Sequence, residues 1–164
     1  ASLYFSRGIG PGGPKNESRN RSCRLFKCLK NTEEERNMSI KRHMVPGMRE
    51  PVSHFCHVVQ AGDTIWLSGM TGVANDKSIP ESTVEQFDLA MAALDKALTA
   101  AGGSSSQIVK VQVFMTDISE RELINPARIK YFGEHKPAST LVEVSGLVDP
   151  RMKVEIEAVA YIGA

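Results

Sequence analysis

Two carboxylates near the end of the chain have a spacing that suits acid–base chemistry. Glu155 and Glu157 are two residues apart in a run of alternating apolar and polar residues from Lys153 to Ile162. Alternation of this length predicts a half-buried strand, whose successive side chains point to opposite faces. Both carboxyl groups therefore lie on one face, where a positioned Glu can act as a general acid or base. A polar strand at an interface between subunits has the same pattern, so the residues alone leave both interpretations open.

Other catalytic constellations find no support in the sequence. His54 and His57 are three residues apart in a predicted strand, so they face opposite sides and do not form a two-His metal site by themselves. The sequence has no phosphate-binding loop, no metal-ligand spacing and no Ser-His-Asp or Cys-His arrangement that we can identify. We therefore expect neither a metal nor an organic cofactor.

Length and charge restrict the class of protein. The 164 residues suit one domain with a substantial core. Residues 1–37 hold eight Lys/Arg and four Glu, whereas residues 38–164 hold 12 Lys/Arg and 15 Asp/Glu. The second part is therefore mildly acidic, which makes a duplex nucleic-acid partner, held by phosphate contacts, unfavourable.

The cysteines and the apolar segments indicate the compartment. Three cysteines at irregular spacing do not form a disulfide framework, which favours a reduced, cytoplasmic setting. No apolar run approaches the roughly 20 residues that a membrane-spanning helix needs. We therefore expect a cytoplasmic protein with no membrane partner.

Residues 1–37 differ in composition from the rest. Residues 8–14 (Gly-Ile-Gly-Pro-Gly-Gly-Pro) interrupt any helix or strand, and a basic stretch follows. We expect a basic, Gly/Pro-containing leader that is disordered or an upstream extension, with Met38 as the natural start of a single domain over residues 38–164. A transit peptide and an RNA-binding arm are less favoured, because four Glu residues accompany the basic ones.

The first half of this domain predicts a hairpin and a helix. Two short β-rich runs over residues 54–68 surround a turn with Gly and Asp, which is typical of a hairpin. Ser82 and Glu85 then form a capping-box pattern before a run with helical spacing of apolar residues. Gly102 and Gly103 predict the end of that helix.

The second half predicts a strand, a helix and two more strands. Residues 108–116 alternate as a long strand. Asn125 followed by Pro126 predicts the N-cap and first position of a second helix. The last two strands flank a turn at Asp149-Pro150, which completes the order β-β-α-β-α-β-β.

This order predicts an α+β domain in which two helices pack on one face of a sheet. The other face needs a cover. Because its last strand carries a mixed, acidic surface, we expect a protein partner there, most simply another copy of the same chain.

The sequence resembles the reactive intermediate deaminases, also called the Rid or YjgF family, over about residues 51–162. No single motif is diagnostic, but four occur in the right order and spacing. They are residues 61–69 (Ala-Gly-Asp-Thr-Ile-Trp-Leu-Ser-Gly), the helix end at 100–103 (Ala-Ala-Gly-Gly), residues 108–117 (Ile-Val-Lys-Val-Gln-Val-Phe-Met-Thr-Asp) and the stretch from Pro137-Ala138 through Val142-Glu143-Val144 to residues 154–160 (Val-Glu-Ile-Glu-Ala-Val-Ala).

The resemblance implies a chorismate-mutase-like fold of the bacillus type, with a mixed sheet, and a homotrimer with clefts between neighbouring subunits. Members of the deaminase branch hydrolyse enamines and imines to 2-keto acids and ammonia without a metal or organic cofactor. In that branch an Arg binds the substrate carboxylate as a bidentate pair, and a Glu positions or activates the attacking water. The implied ligand is therefore an imine, an enamine or a keto acid.

The resemblance also assigns candidate site residues. The catalytic Glu corresponds to Glu155, the cleft glycine to Gly69 and the Asn before the second helix to Asn125. Phe55 stands where the deaminase branch usually has Tyr. The carboxylate-binding Arg should follow Pro137-Ala138, but this chain has Ser139 there, and a hydroxyl does not form the charge-assisted fork.

Several of these residues have ordinary structural interpretations as well. Ser139 can be a strand-start residue, and Asn125 a helix cap. Arg151, in the turn between the last strands, is a candidate replacement for the missing Arg. Two functions thus remain: a Rid-like imine deaminase with altered substrates, and a non-catalytic, regulatory trimer that binds a small metabolite or a partner protein. An endoribonuclease is less favoured because the domain is acidic.

Overall fold

The computed structural model describes residues 39–163, so the predicted leader over residues 1–37 and its boundary at Met38 lie outside the described residues. The described part contains six strands and two helices. They are β1 (Ile40–His43), β2 (Val58–Ala61), β3 (Thr64–Thr71), α1 (Thr83–Ala100), β4 (Ile108–Met115), α2 (Arg121–Phe132), β5 (Ala138–Glu143) and β6 (Val154–Tyr161).

All six strands form one mixed sheet in the order β1-β2-β3-β6-β4-β5. The last strand, β6, lies near the centre and pairs antiparallel with both β3 and β4. β5 pairs with the other side of β4 in parallel, so the two final strands are not neighbours. The predicted α+β class and the mixed sheet are confirmed.

Both helices cover one face of the sheet, as predicted. From β6 this face presents Val154, Ile156, Ala158 and Ala160, all buried. Helix α1 packs on β3 and β6 with a stripe that includes Phe87, and α2 contacts α1. The expected cap is present, since Ser82 Oγ accepts a hydrogen bond from the Glu85 amide. This apolar layer holds β6 rigidly, which fixes the direction of the side chains on its other face.

The second helix begins earlier than the sequence predicts. Asn125 is not an N-cap, because α2 starts at Arg121 and holds Pro126 in its interior. Asp117 caps a short 3₁₀ turn by accepting a hydrogen bond from the Ser119 amide, and this turn leads directly into α2. The helix is therefore initiated upstream of the proline, which removes only one internal hydrogen-bond donor.

The sequence did not predict strand β1. Its residues Ile40–His43 are largely exposed and pair antiparallel with β2 at the edge of the sheet. A charged edge strand lacks the apolar alternation that identifies a half-buried strand. The structure therefore has one strand more than the predicted order.

The opposite face of the sheet has no covering layer within residues 39–163. We call it the open face. It includes Trp66 and Val159, which are register partners, and Gln112 and Glu157, which are also partners. Trp66 is 44% exposed, which is high for a large aromatic side chain in the middle of a sheet.

Candidate functional site

The carboxyl group of Glu155 lies against Gly69. In β3 the register shifts between Leu67 and Met70, which leaves a bulge that contains Gly69 opposite β6. A Cβ atom at position 69 would overlap Oε1 of Glu155 and lie 2.8 Å from its Cδ. The glycine thus provides the space that the carboxyl group occupies, and the two residues that the resemblance selects are in direct proximity.

Glu155 is half-buried, and its environment changes its acidity. Burial, and second the negative charge of Glu157, raise the pKa of the Glu155 carboxyl above its ordinary value. A carboxyl group with a raised pKa can exchange a proton closer to neutral pH. Glu157 itself accepts a hydrogen bond from Nε2 of Gln112 across the sheet. The register of β4 and β6 places this neutral amide, and not a basic residue, opposite Glu157.

A cavity of about 260 Å³ lies beside Gly69. Phe55, Arg49 and Asn75 contribute to its lining from the loops, and Leu89 and Lys96 from α1. The β2–β3 pairing ends at Val58 and Leu67, so the later residues of β3 border this cavity. Glu155 lies outside it, against the side of Gly69 where a Cβ atom would be.

Buried His57 holds the loop that carries Arg49. Its Nδ1 accepts a hydrogen bond from the Val45 amide at 2.9 Å, and its Nε2 lies 2.9 Å from the carbonyl oxygen of Arg49. Because Nδ1 accepts, Nε2 carries the proton and donates. Both ring nitrogens are therefore used in structure, which agrees with a local structural role for this residue.

Ser139 and Asn125 lie elsewhere in the chain. Ser139 is the register partner of Val111, which is fully buried under the helices, so its side chain points to the helix face of β5. Its Oγ accepts a hydrogen bond of 2.7 Å from Nη2 of Arg128 in α2. Asn125 lies one turn before Arg128 and donates to Glu122 Oε2 at 2.7 Å. These residues form a second group, at the β5 edge.

Arg151 already has a carboxylate partner within the chain. Its Nη2 lies 2.8 Å from Asp149 Oδ2 and its Nε 3.0 Å from Asp149 Oδ1. These contacts hold the pKa of Asp149 at about 2, and the carboxylate raises the pKa of Arg151. A contact between Arg151 and a ligand stays a prediction, and it would compete with this pair.

Buried Gln86 fixes the turn before β6, and sequence reasoning missed it. Its Nε2 donates to the carbonyl oxygens of Pro80 and Arg151, and its Oε1 accepts from the Lys153 amide at 2.8 Å. A polar residue within an apolar helix stripe was the only available signal. Gln86 ties α1 to the start of the strand that carries Glu155.

The structure thus brings together one set of predicted residues and separates another. Phe55 and Gly69 line one cavity, and Gly69 contacts Glu155. Ser139 is two strands away from Glu155, across β4, on the opposite face of the sheet. Neighbouring strands are about 4.8 Å apart, so a small ligand does not reach both residues within one chain.

Neither a metal-binding cluster nor a membrane-spanning helix is present in the part of the chain that the structure describes. Among residues 39–163, no group of three or more His, Cys, Asp or Glu side chains is arranged to hold a metal ion. Within the same range, no helix has the length and apolarity that crossing a membrane requires.

Comparison with known proteins identifies the class. The family model described as Endoribonuclease L-PSP matches residues 47–162, and the chain belongs to this family. Among its relatives, the mouse 2-iminobutanoate/2-iminopropanoate deaminase is 31% identical over 130 residues, which cover 76% of this chain and 95% of the mouse protein. A RutC family protein of Pyrococcus horikoshii is 31% identical over 118 residues, covering 68% and 90%.

A solved structure supports the same assignment. A member of the YjgF/YER057c/UK114 family from Mycobacterium tuberculosis superposes with a TM-score of 0.67 at 27% identity, covering 76% of this chain and all of that one. The chain is thus a Rid/YjgF family member with the predicted chorismate-mutase-like fold, and it has Ser139 where the resemblance places Arg.

Proposed function

We propose that this protein hydrolyses the C=N bond of reactive imines, including those formed from enamines, to keto compounds and ammonia. The observation that carries the proposal is the half-buried carboxyl group of Glu155, whose pKa is raised and whose position is set by contact with Gly69. Family membership and the imine deaminases among the relatives support it.

In the proposed reaction, the ionised Glu155 carboxylate accepts a proton from water as the oxygen attacks the imine carbon. The C–O bond forms while the C=N π electrons move to nitrogen, which gives a carbinolamine. Glu155 returns this proton to nitrogen, which completes the carbinolamine. It then accepts the hydroxyl proton and transfers it to nitrogen as well, so that the C–N bond breaks, ammonia leaves and the C=O bond forms. One water is consumed and no oxidant or reductant is needed, so proton transfer by Glu155 is the chemistry that the reaction requires from the protein.

A complete site requires two copies of the chain in this proposal. Glu155, Gly69 and Phe55 form one half, and the β5 edge with Ser139 and Asn125 forms the other. Within one chain they lie on opposite faces of the sheet. We propose that the open face, which exposes Trp66, is buried between the subunits of a homotrimer. In this assembly each half-site lies next to the complementary half-site of a neighbouring subunit.

One specific observation favours a second function. Ser139 cannot provide the charged fork that holds a 2-imino acid, and hydrogen bonds to charged groups contribute about 1.5–3 kcal/mol each. A trimer that binds a small metabolite without turnover would tolerate this replacement. Endoribonuclease activity, which the family description names, finds less support because residues 38–164 carry more acidic than basic residues.

The two functions are separated by turnover and binding measured together. 2-Iminobutanoate generated in place by an amino-acid oxidase should disappear faster with the protein than in buffer, and the Glu155→Gln variant should lose this acceleration. Binding of 2-oxobutanoate without any turnover would instead support the metabolite-binding function. A cytoplasmic location stays a prediction, which fractionation of the source cells would test.

A further inference from the structure

We propose that Arg128 is the carboxylate-binding residue of this site, supplied from helix α2 in place of an arginine on β5. The proposal rests on the function proposed above, and it names the residue and the chemical class that the β5 half-site selects. The ligands it specifies are imines and keto compounds that carry a carboxylate next to the reacting carbon.

The position of Arg128 carries the proposal. Its Nη2 donates to Ser139 Oγ at 2.7 Å, so the guanidinium lies at the β5 position where the resemblance places an arginine. The side chain is partly buried, and its hydrogen bond to Ser139 joins it to β5. A guanidinium has five N–H donors, and this hydrogen bond uses one of them.

The positive charge of Arg128 is not neutralised by an acidic side chain within residues 39–163. It forms no ion pair with any of residues 39–163, whereas Arg121 pairs with Glu122 and Arg151 with Asp149. The nearest acid along the same helix, Glu122, is already shared between Arg121 and the amide of Asn125. A partly buried cation without an acid partner is suited to bind an anion from outside the chain.

The shape of the cation favours a carboxylate. The planar fork of a guanidinium matches the two oxygens of a carboxylate, with two parallel hydrogen bonds. Asn125 is three residues before Arg128 and therefore lies on the same side of α2, where its amide donates to Glu122. A ligand held there presents the carbon next to its carboxylate to the half-site of a neighbouring copy.

The test uses the full chain and compares Arg128→Met with Lys130→Met, an exposed cation on the same helix. Binding of 2-oxobutanoate is measured by calorimetry, with neutral 2-butanone and inorganic phosphate as comparison ligands. We expect Arg128→Met to weaken 2-oxobutanoate binding by about 10- to 100-fold, and Lys130→Met to leave it unchanged. 2-Butanone should bind equally to all variants, and phosphate more weakly than 2-oxobutanoate.

Two further variants keep the test independent of folding. Arg128→Lys keeps the charge and the aliphatic stem but loses the fork, so its affinity should be intermediate. The Arg128→Met/Ser139→Arg double variant should recover most of the binding, because it restores an arginine on β5. Unfolding curves of each variant report whether the fold is intact.

The outcomes separate this proposal from the proposed function. Unchanged binding in Arg128→Met, equal loss in Lys130→Met, failure of the double variant to recover, or tighter binding of phosphate than of 2-oxobutanoate would each overturn the role of Arg128. If 2-oxobutanoate binds through Arg128 but no imine is hydrolysed, the anion site stands and the deaminase function fails. If turnover persists in Arg128→Met with an unchanged KM, the deaminase function stands and the role of Arg128 fails.

Discussion

The carboxyl group of Glu155 fills the space beside Gly69 that a side chain at position 69 would occupy. A bulge in β3 brings the glycine to this point, and the buried face of β6 fixes the backbone of Glu155. The glycine is therefore required by the neighbouring carboxyl group, and this contact connects the fold with the proposed chemistry.

The Gly69→Ala substitution should displace the Glu155 carboxyl group while leaving the fold intact. The new Cβ atom meets the far end of a flexible side chain, which can rotate away at a modest cost of about 1 kcal/mol. We expect imine hydrolysis to fall at least about tenfold, since small displacements of a catalytic group are costly. Gly146→Ala is the control, because a Cβ atom there meets open space. Full activity of Gly69→Ala would contradict the positioning.

The raised pKa of Glu155 predicts a specific pH dependence of stability. The folded state holds the Glu155 proton more tightly than the unfolded state does, so the protonated carboxyl group contributes to the stability of the fold. This contribution is complete below the ordinary pKa of 4.5 and is lost as pH rises through the folded pKa. Glu155→Gln should therefore gain stability relative to the unmodified chain as pH rises through this range. Urea denaturation from pH 4 to pH 8, in steps of about one pH unit, measures the difference in the free energy of unfolding between the two proteins. A constant difference between the two proteins across this range would refute the raised pKa.

The Gln86→Leu substitution should destabilise the domain, because it removes the connection between α1 and the turn before β6. The leucine leaves the carbonyls of Pro80 and Arg151 and the amide of Lys153 without their partner. Unsatisfied buried groups cost about 1–3 kcal/mol each. Because these three hydrogen bonds are only partly buried, we expect the lower end of that range, a fall of about 3 kcal/mol in the free energy of unfolding. Asp88→Leu, at an exposed position of α1, should change it by less than about 0.5 kcal/mol. Equal effects of the two substitutions would exclude the role given to Gln86.

We expect the open face to be buried at the interface between the subunits of a homotrimer. Trp66→Lys places a charge in the centre of that face, where Trp66 is 44% exposed, and should convert the trimer to monomers. Size-exclusion chromatography with light scattering measures the mass directly. Val84→Lys, at a residue of α1 that is 36% exposed, is the matched control and should remain trimeric. A monomer for the unmodified chain would contradict the assembly and the site between subunits.

Much of the fold follows from local sequence patterns. The alternation in β6 and the cap at Ser82 are both present in the structure. By contrast, the alternation from Val109 to Met115 predicts that Val109 lies on the buried face of β4. In the structure Val109 is 50% exposed, and Ile108 is buried instead. The register shift between Ile108 and Lys110 is the reason, because an irregularity set by the neighbouring strand leaves no mark on the alternation.

The candidate site was less predictable than the fold. Glu155 and Gly69 could be selected by resemblance, but their contact depends on the bulge in β3. Arg128 carries no signal in the sequence, because its hydrogen bond to Ser139 joins a helix to an edge strand. Contacts between elements depend on packing, which local propensity and spacing do not encode.

The most direct test of the central claim is the turnover of 2-iminobutanoate by the unmodified chain, by Glu155→Gln and by Glu157→Gln. The imine is generated in place by an amino-acid oxidase, and its loss is followed against the same mixture without the protein. We predict acceleration by the unmodified chain, a loss of at least about 100-fold in Glu155→Gln, and a smaller effect in Glu157→Gln. No acceleration over buffer, or equal rates for the unmodified chain and Glu155→Gln, would contradict the account.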